Sequence, residues 1–482
     1  MNYSVVVYIL GWIMEIEAAF LALPGIVSAI YGEKGGFAFL WVALGSAVAG
    51  SAIILRKPKN MRFYLREGFV TVALSWILMS VIGCLPFVIN GDIPHFADAL
   101  FEMISGFTTT GATVVSDVEG LTKGSLFWRS FSHWIGGMGV LVFLLAIVPM
   151  AGGSHMNLMK AESPGPSVGK LVPKVRQTAK YLYIIYFALT MIEVIFLLFG
   201  GMNLFEALTT SFGTAGTGGF AIWNDGFVSV SPYNQWVVTI FMLLFGVNFG
   251  FYFLILTGKL RDALKFEEVR IYFIIVIAAA VFIFINLRHF ALYAPAEGIR
   301  QAFFQVASII TTTGFASADF NLWPETSRTI LVLLMFIGAC AGSTGGGIKV
   351  SRFIIACKSF IKEIISYLHP RSVKKIKIEG KPLEHETLRA TNVYFMTYMV
   401  IFAVSVLLVS IENKDLVTNF AAVAATFNNI GPGLSLVGPM ANFGHFTDFT
   451  KYILMFDMLA GRLEIFPMML LFCPAVWKRR RA

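Results

Sequence analysis

The sequence predicts an all-α polytopic membrane protein with four copies of a unit made of a helix, a pore half-helix, a loop and a second helix. Three observations lead to this fold class: an apolar composition, many apolar stretches long enough to span a bilayer, and a short glycine-containing segment that recurs between them. Hydrophobic residues make up 57% of the 482 residues and charged residues only 13%. A soluble fold of this size cannot bury so much apolar surface, so the chain requires lipid.

The apolar stretches define the expected membrane spans, because a spanning helix needs about 20 mostly apolar residues. Ten stretches meet this requirement, at residues 3–30, 37–55, 68–90, 126–150, 181–200, 235–257, 271–290, 328–368, 391–411 and 451–477. The eighth stretch is too long for one span and is interrupted by glycines. We therefore expect a helix that is broken inside the membrane.

The lysines and arginines give the orientation of these spans. They concentrate between alternate spans and at the C-terminal end, in residues 56–67, 151–180, 259–270, 349–389 and 478–481. If the first cluster is cytoplasmic, all of them are, as the positive-inside rule requires. Both termini are then expected in the cytoplasm, and the net charge of +9 does not indicate a nucleic-acid partner.

A short apolar segment of about 12 residues lies between spans three and four, five and six, seven and eight, and nine and ten. Such a segment is too short to cross the bilayer, and each one falls on the outer side. We interpret each as a re-entrant half-helix that enters from outside and turns back at a glycine-containing loop.

The loops after the half-helices can be placed in register on one glycine each. The aligned segments are Ser105 to Gly111, Thr210 to Gly216, Ser308 to Gly314 and Ala425 to Gly431. A small residue stands six positions before the glycine and a large apolar one stands four before it. In the second copy Gly213, Gly216, Gly218 and Gly219 compete for the reference position, and the spacing from Phe212 favours Gly216.

The chemistry of these loops suits a dehydrated monovalent cation, K⁺ or Na⁺. Successive backbone carbonyls can replace the water around such an ion, and glycine permits the backbone that turns them inward. Threonine hydroxyls add oxygens or support the loop. The half-helices would aim their negative C-terminal ends at the pore, which favours cations over anions.

These residues resemble the Trk/Ktr/HKT superfamily of potassium transporters, and its Trk-type members in particular. The resemblance covers nearly the whole chain. It rests on the interrupted eighth span, on Arg462 in the last span, and on the motifs Thr108–Thr113 (TTTGAT), Ser211–Phe220 (SFGTAGTGGF), Thr311–Ala316 (TTTGFA) and Asn428–Gly433 (NNIGPG).

The resemblance implies four M1-P-M2 repeats around one pseudo-fourfold pore, preceded by two extra helices. The implied division is residues 1–60 for the extra helices and 61–150, 151–258, 259–368 and 369–482 for the repeats. It also implies a homodimer in a bacterial inner membrane, with a cytoplasmic nucleotide-binding subunit of the TrkA type as regulator. The transported ion would be K⁺, with no covalently bound cofactor.

The expected selectivity filter consists of the residues just before and at each reference glycine. They are Thr109, Thr110, Gly111, Thr214, Ala215, Gly216, Thr312, Thr313, Gly314, Asn429, Ile430 and Gly431. Within this set, K⁺ is expected at Thr110, Gly111, Ala215, Gly216, Thr313, Gly314, Ile430 and Gly431. Each loop keeps a single reference glycine, whereas potassium channels repeat TVGYG, so some Na⁺ passage is compatible with this filter.

The expected gate combines the break in the eighth span with the arginine in the last one. The resemblance places the broken segment under the third filter loop and Arg462 in the conduction path. The segment consists of Gly342, Ser343, Thr344, Gly345, Gly346 and Gly347. Two alternatives stay open: the glycines could form a helix-packing face, and Arg462 could pair with Asp457 or Glu464.

Other functions find less support in the sequence. A symporter coupling K⁺ to H⁺ or Na⁺ could use the intramembrane acids Glu15, Glu17 and Glu193, for which we expect interhelical contacts instead. The histidines and cysteines form no metal or catalytic motif, so an enzyme is not expected. The basic segment from His369 to Arg389 is a docking surface for the regulator or an ordinary positive-inside loop.

Overall fold

The computed structural model describes residues 1–61, 64–147, 175–369 and 375–478. The protein is helical except for one short antiparallel hairpin, β1 (Lys377–Ile378) and β2 (Lys381–Pro382). The helices of the first half are α1 (Tyr3–Ile30), α2 (Gly36–Ile54), α3 (Leu65–Asn90), α4 (Phe96–Phe107), α5 (Lys123–Ile147), α6 (Val175–Phe199), α7 (Leu204–Gly216), α8 (Pro232–Phe245), α9 (Phe249–Leu256) and α10 (Leu260–Ala263). Those of the second half are α11 (Glu267–His289), α12 (Pro295–Ile310), α13 (Glu325–Met335), α14 (Val350–Leu368), α15 (His385–Val409), α16 (Leu416–Phe427), α17 (Asp448–Arg462), α18 (Phe466–Leu471) and α19 (Pro474–Trp477).

The long apolar helices identify a multi-pass membrane protein. Within the described residues, six helical segments are long and apolar enough to span a bilayer. They are Tyr3–Ile30, Gly36–Ile54, Leu65–Asn90, Lys180–Phe199, Glu267–His289 and His385–Glu412. Parts of the predicted fourth span, of the basic cluster at 151–180 and of the segment from His369 to Arg389 lie outside the described residues.

The four half-helices α4, α7, α12 and α16 have the length expected of re-entrant segments, between 12 and 16 residues. Local sequence explains where two of them begin. The Asn203 side chain accepts a hydrogen bond from Glu206 N, and Asp415 accepts one from Thr418 N, so each caps the free amides of the first turn. Each half-helix ends at its glycine-containing loop.

The prediction that the sixth span is one continuous helix is wrong. Helices α8 and α9 meet at an 89° bend after Phe245. The backbone groups freed at this break bond to the broken eighth span: Cys340 N donates to Gly246 O at 3.0 Å, and Phe249 N donates to Gly342 O at 3.0 Å. Apolar composition shows that a segment belongs in the membrane, but it carries no signal for a partner that satisfies a break.

The tenth span, 451–477, is also broken, which the sequence did not predict. Helix α17 ends at Arg462, and α18 begins at Phe466. Between them Glu464 and Ile465 have φ angles of 58° and 69°. A β-branched residue in this left-handed region is strained, so surrounding contacts must hold the break.

Helices α1 and α2 form a closely packed pair next to the repeats. Gly11 faces Ile53 and Gly50 across this pair, and Gly36 faces Ser28. A Cβ on Gly11 would lie 2.8 Å from the Ile53 side chain, so the small residue sets the helix separation.

Candidate functional site

The four glycine-containing loops meet in a closed ring. In each loop a Cβ added to one glycine would overlap a carbonyl oxygen of the next loop. The four pairs are Gly111 with Gly218, Gly219 with Thr313, Gly314 with Ile430, and Gly431 with Thr110. The order of contacts therefore follows the order of the repeats and returns from the fourth to the first. Only glycine allows backbones to approach this closely.

The ring corrects the register of the second loop by three residues. Thr214, Ala215 and Gly216 lie in the last turns of helix α7 and not in the loop. The loop itself consists of Thr217, Gly218 and Gly219. Gly216 packs instead against the backbone of His133 in helix α5.

Backbone angles support the corrected register. Each reference glycine has a positive φ, and so does the residue two positions before it. The pairs are Thr109 (55°) with Gly111 (77°), Thr217 (55°) with Gly219 (83°), Thr312 (59°) with Gly314 (84°), and Asn429 (55°) with Gly431 (96°). The amide between them donates to a carbonyl five residues earlier, in the bonds Thr110 to Ser105 (2.9 Å), Gly218 to Gly213 (2.8 Å), Thr313 to Ser308 (2.9 Å) and Ile430 to Ala425 (2.8 Å).

The sequence carries a signal for the corrected register. Gly219-Phe220-Ala221 repeats Gly314-Phe315-Ala316 letter for letter. The spacing from Phe212 misled because Ala215 occupies the place that a large apolar residue takes in the other copies. The half-helix of the second repeat thus continues for about one turn beyond Phe212 before it reaches the ring.

A cavity of about 130 Å³ lies against the ring. Its walls include the reference glycines Gly111, Gly219, Gly314 and Gly431. Because glycine has no side chain, it leaves the backbone carbonyls and amides at these positions uncovered.

Threonine and asparagine side chains support the loops. Thr108 and Thr110 share a hydroxyl hydrogen bond of 2.8 Å, and Thr311 and Thr313 share one of 2.7 Å. In the fourth loop the Asn429 amide donates to Thr110 Oγ1 at 3.0 Å, and also to Met458 O. The asparagine therefore joins the fourth loop to the first, its neighbour in the ring.

His133 is a buried residue that the sequence interpretation missed. Its Nε2 accepts from Phe220 N at 3.2 Å, and its Nδ1 lies 2.8 Å from Gly106 O. These partners require a neutral ring with the proton on Nδ1. His133 joins the first half-helix to the exit of the second loop, and a Cβ on Gly218 would overlap its ring. One histidine without a motif gives no sequence signal for this role.

Arg129 and Glu102 form a second missed support. Their buried ion pair has an Nη2 to Oε1 distance of 2.7 Å. Glu102 also accepts from Thr113 Oγ1 at 2.9 Å, while the guanidinium lies 4.2 Å from the centre of the Phe220 ring. The pair connects the exits of the first two loops, and its satisfied geometry offsets the cost of burying two charges.

The broken eighth span lies against the ring. Helices α13 and α14 are separated by residues 336–349, and the glycine stretch enters the space below loops three and four. Gly346 N donates to Thr312 Oγ1 at 2.6 Å. A Cβ on Gly345 would lie 2.9 Å from Thr311 O, and one on Gly346 would lie 3.0 Å from Asn428 O. The segment thus touches the lower ends of two loops.

Arg462 joins three repeats at this level. Its Nη1 donates to Thr344 O at 2.7 Å and its Nη2 donates to Gly136 O at 2.7 Å. Of the two acids that could have paired with it, Glu464 forms an ion pair with Arg352, and Asp457 accepts from Ser405 at 2.7 Å. The arginine therefore contacts the broken segment and helix α5 at the inner side of the ring.

The intramembrane acids differ in their surroundings. Glu15 accepts from Ser51 at 2.6 Å, so the expected interhelical contact is present. For Glu17 that expectation is wrong, because this buried carboxyl group accepts no hydrogen bond from the described residues. Glu193 is buried on α6 near Thr214, and its carboxyl oxygens likewise accept no hydrogen bond from the described residues, so the expectation is wrong for this acid too. None of the three lies in the ring.

Comparisons with known proteins agree with this architecture. The sequence model of the TrkH family, described as cation transport protein, matches residues 37–479. The Trk system potassium uptake protein TrkH of Escherichia coli (strain K12) is 36% identical and covers 99% of this chain and 100% of its own length. The TrkG protein of the same strain, also named a Trk system potassium uptake protein, is 31% identical with 99% coverage of both chains.

A solved structure gives the same result. The crystal structure of the potassium transporter TrkH from Vibrio parahaemolyticus matches with a TM-score of 0.88 and 32% sequence identity. The match covers 99% of this chain and 100% of that one. The family consists of transporters and not of enzymes. This chain therefore belongs to the TrkH family of cation transport proteins.

Proposed function

We propose that this protein conducts K⁺ into the cell through the ring of four glycine loops. The observation that carries the proposal is the closed chain of backbone contacts from each loop to the next. Four loops that place carbonyls around one axis supply the oxygens that a dehydrated K⁺ needs. The proposed ion ligands are the backbone carbonyls at Thr110, Gly111, Gly218, Gly219, Thr313, Gly314, Ile430 and Gly431.

The broken segment and Arg462 form the proposed gate. Residues 342–347 occupy the space under the third and fourth loops, and the arginine holds Thr344 there. A fixed positive charge beside the path raises the barrier for cations. Movement of the segment away from the ring would open the path.

The proposed setting is a bacterial inner membrane with both termini in the cytoplasm. Support comes from the basic clusters and from relatives named as parts of a Trk system. The proposed assembly is a homodimer regulated by a nucleotide-binding subunit of the TrkA type. No covalently bound cofactor is required, since the membrane potential supplies about 2.3 kcal/mol per charge per 100 mV.

K⁺ symport with H⁺ or Na⁺ is the alternative. Alternating access usually relies on inverted repeats that rock around a midplane site. The four loops here meet in a ring, which favours a pore. A reversal potential that follows only the K⁺ gradient would support the pore; one that moves with pH at fixed K⁺ would support symport.

The test is ion flux through the reconstituted full chain with K⁺ or Na⁺, repeated for Gly111→Ser and Gly431→Ser. Both glycines have positive φ and face a carbonyl of a neighbouring loop. We expect the wild type to favour K⁺ and each variant to lose at least about tenfold of that preference. Equal flux of both ions in all three proteins would reject the filter.

A further inference from the structure

A single carboxylate oxygen lies at the base of the broken segment. Glu268 belongs to the first turn of α11 and is buried. Its Oε1 accepts from Ala341 N at 2.7 Å and from Ser351 N at 2.9 Å. These two amides lie on opposite sides of the glycine stretch. One atom from another helix therefore holds both ends of the loop together.

The contact with Ser351 also serves as a helix cap. Helix α14 begins at Val350, and the residue before it, Lys349, makes no side-chain capping bond. The first amides of a helix lack partners within it and favour a negative charge. Glu268 supplies this charge from a neighbouring helix, so the start of α14 and the preceding segment share one anchor.

The middle of the segment, from Thr344 to Gly346 and here called its tip, has separate contacts. Gly346 bonds to the third loop through Thr312, and Arg462 bonds to Thr344. The base also has backbone bonds: Val350 N donates to Ala339 O at 3.0 Å, and two bonds of 3.0 Å join Cys340 and Gly342 to the break after Phe245. The Lys349 ammonium group donates to Gly345 O and so connects base and tip. Position at the tip thus depends on how firmly the base is held.

We propose that Glu268 is a positioning residue for the gate, which keeps the broken segment under the ring by tying it to the first turn of α14. This inference rests on the proposed function, because it assigns a regulatory role to the same segment. A displacement of α14 would pull on the anchor and reach the tip through the short glycine-rich stretch. Loss of the anchor lets the tip leave the pore without any such signal.

Three variants separate the contributions. Glu268→Ala removes both hydrogen bonds, whereas Glu268→Gln keeps an oxygen that can accept them without the charge. Glu267→Ala is the control for a contact between the same two helices: Glu267 lies in the same turn and pairs with Lys358 of α14 at 2.5 Å, beyond the first turn of α14 and without contact to Ala341 N or Ser351 N. We expect unregulated K⁺ flux to rise about tenfold for Ala, threefold or less for Gln, and to stay near wild type for the control.

Amide hydrogen exchange over residues 336–351 of the full chain gives a readout independent of flux. We expect faster exchange in Glu268→Ala than in Glu268→Gln, and exchange close to wild type in Glu267→Ala. Unchanged exchange in Glu268→Ala, or an equal rise in flux for Glu267→Ala, overturns the proposal.

The two readouts also separate this inference from the proposed function. Faster exchange with unchanged K⁺ flux in Glu268→Ala would show that Glu268 holds the segment but would reject its role in gating. Wild-type flux that does not distinguish K⁺ from Na⁺ would reject the filter, while the exchange result would still decide whether Glu268 holds the segment. If Glu268→Ala does not fold, Glu268→Asp replaces it, because the shorter side chain cannot reach both amides.

Discussion

The ring of four loops and the broken segment beneath it are held in different ways. In the ring, each glycine lies against a carbonyl of the next loop, so the four loops position one another through their backbones. The broken segment is held by backbone bonds to the break after Phe245 and by side chains from neighbouring elements. These side chains are Glu268 and Arg462 from helices and Thr312 from the third loop. A ring held by backbone approach tolerates little change, whereas a segment held partly by side chains can be loosened by changing one of them.

This difference suits a pore in which one part selects and the other moves. Close packing of backbones leaves few alternative arrangements of the ring. The segment between α13 and α14 has glycines with positive φ at both ends of the glycine stretch, Gly342 and Gly347, which lower the cost of rearrangement. Substitutions in the ring should therefore abolish selective transport, and substitutions at the segment should deregulate it.

The largest effect is expected from Gly219→Ala in the ring. The added methyl group would overlap Thr313 O, and the position has a φ of 83°. We expect selective K⁺ flux to fall by at least about 30-fold, since the clash must push two loops apart. Flux of reconstituted protein is the measurement.

Gly201→Ala is the matched control, because Gly201 has a φ of 86° with open space around its Cβ position. It carries the backbone cost of about 1 kcal/mol without a clash, so its flux should stay near wild type. Similar losses in both variants would show that the backbone angle, and not the contact between loops, is what matters.

A smaller effect, an increase in K⁺ flux, is expected from Arg462→Gln in the proposed gate. The substitution removes a positive charge beside the proposed path. At a distance of about 4 Å, the repulsion between this charge and a passing cation is about 1 kcal/mol at the dielectric constant of water and about 4 kcal/mol at that of a protein surface. We expect unregulated K⁺ flux to rise about tenfold in the same flux measurement.

Arg462→Lys tests whether the charge or the hydrogen-bond geometry closes the path. Lysine keeps the charge but cannot reproduce both bonds to Thr344 and Gly136. Flux should stay within about threefold of wild type if charge dominates. Unchanged or lower flux in Arg462→Gln would contradict the barrier role.

The smallest effect is expected from Asp117, in a solvent-exposed contact between two loops. Hydrogen bonds from Asn224 and from the backbone of Gly120 hold the pKa of the exposed Asp117 below its usual value of 3.8. Because the pKa is depressed in the folded protein, this contact stabilises the fold at pH values above the pKa of the unfolded chain. The stabilisation is lost as the pH falls through the lower pKa of the folded protein. Asp117→Asn should change the melting temperature by no more than about 1 °C at pH 7.

Thermal unfolding at pH 7 and near pH 3 checks this expectation. The small advantage of the wild type over Asp117→Asn should shrink at the lower pH, because the pH there falls below the pKa that Asp117 has in the unfolded chain. A large loss of selective flux in this variant at pH 7 would instead place the outer loops among the parts that determine selectivity.

Much of the candidate site could be predicted from sequence because its residues are local and repeated. In the first, third and fourth loops, the glycine chosen from the sequence is the one that has a positive φ and meets the next loop. The triple glycine in a span too long for one helix predicted the broken segment. Arg462 was singled out because a charge within an apolar span needs a specific reason to be there.

The second loop shows why the remainder was not predictable from local patterns. Thr214-Ala215-Gly216 and Thr217-Gly218-Gly219 fit the same template. The choice between them depends on which glycine meets Thr313 O in the next loop and which meets the backbone of His133. Both partners are distant in sequence, so no window along the chain contains the deciding contact.

The sequence by itself determined the membrane class, the number of glycine loops, the broken eighth span and the position of Arg462, because composition, repetition and span length are properties of the chain alone. Only the tertiary structure decided the second register, the breaks after Phe245 and Arg462, and the two hydrogen bonds that Glu268 accepts at the broken segment. Each of these depends on a hydrogen bond or a close backbone approach between separate helices. Such contacts exist only once the repeats have packed around a common axis.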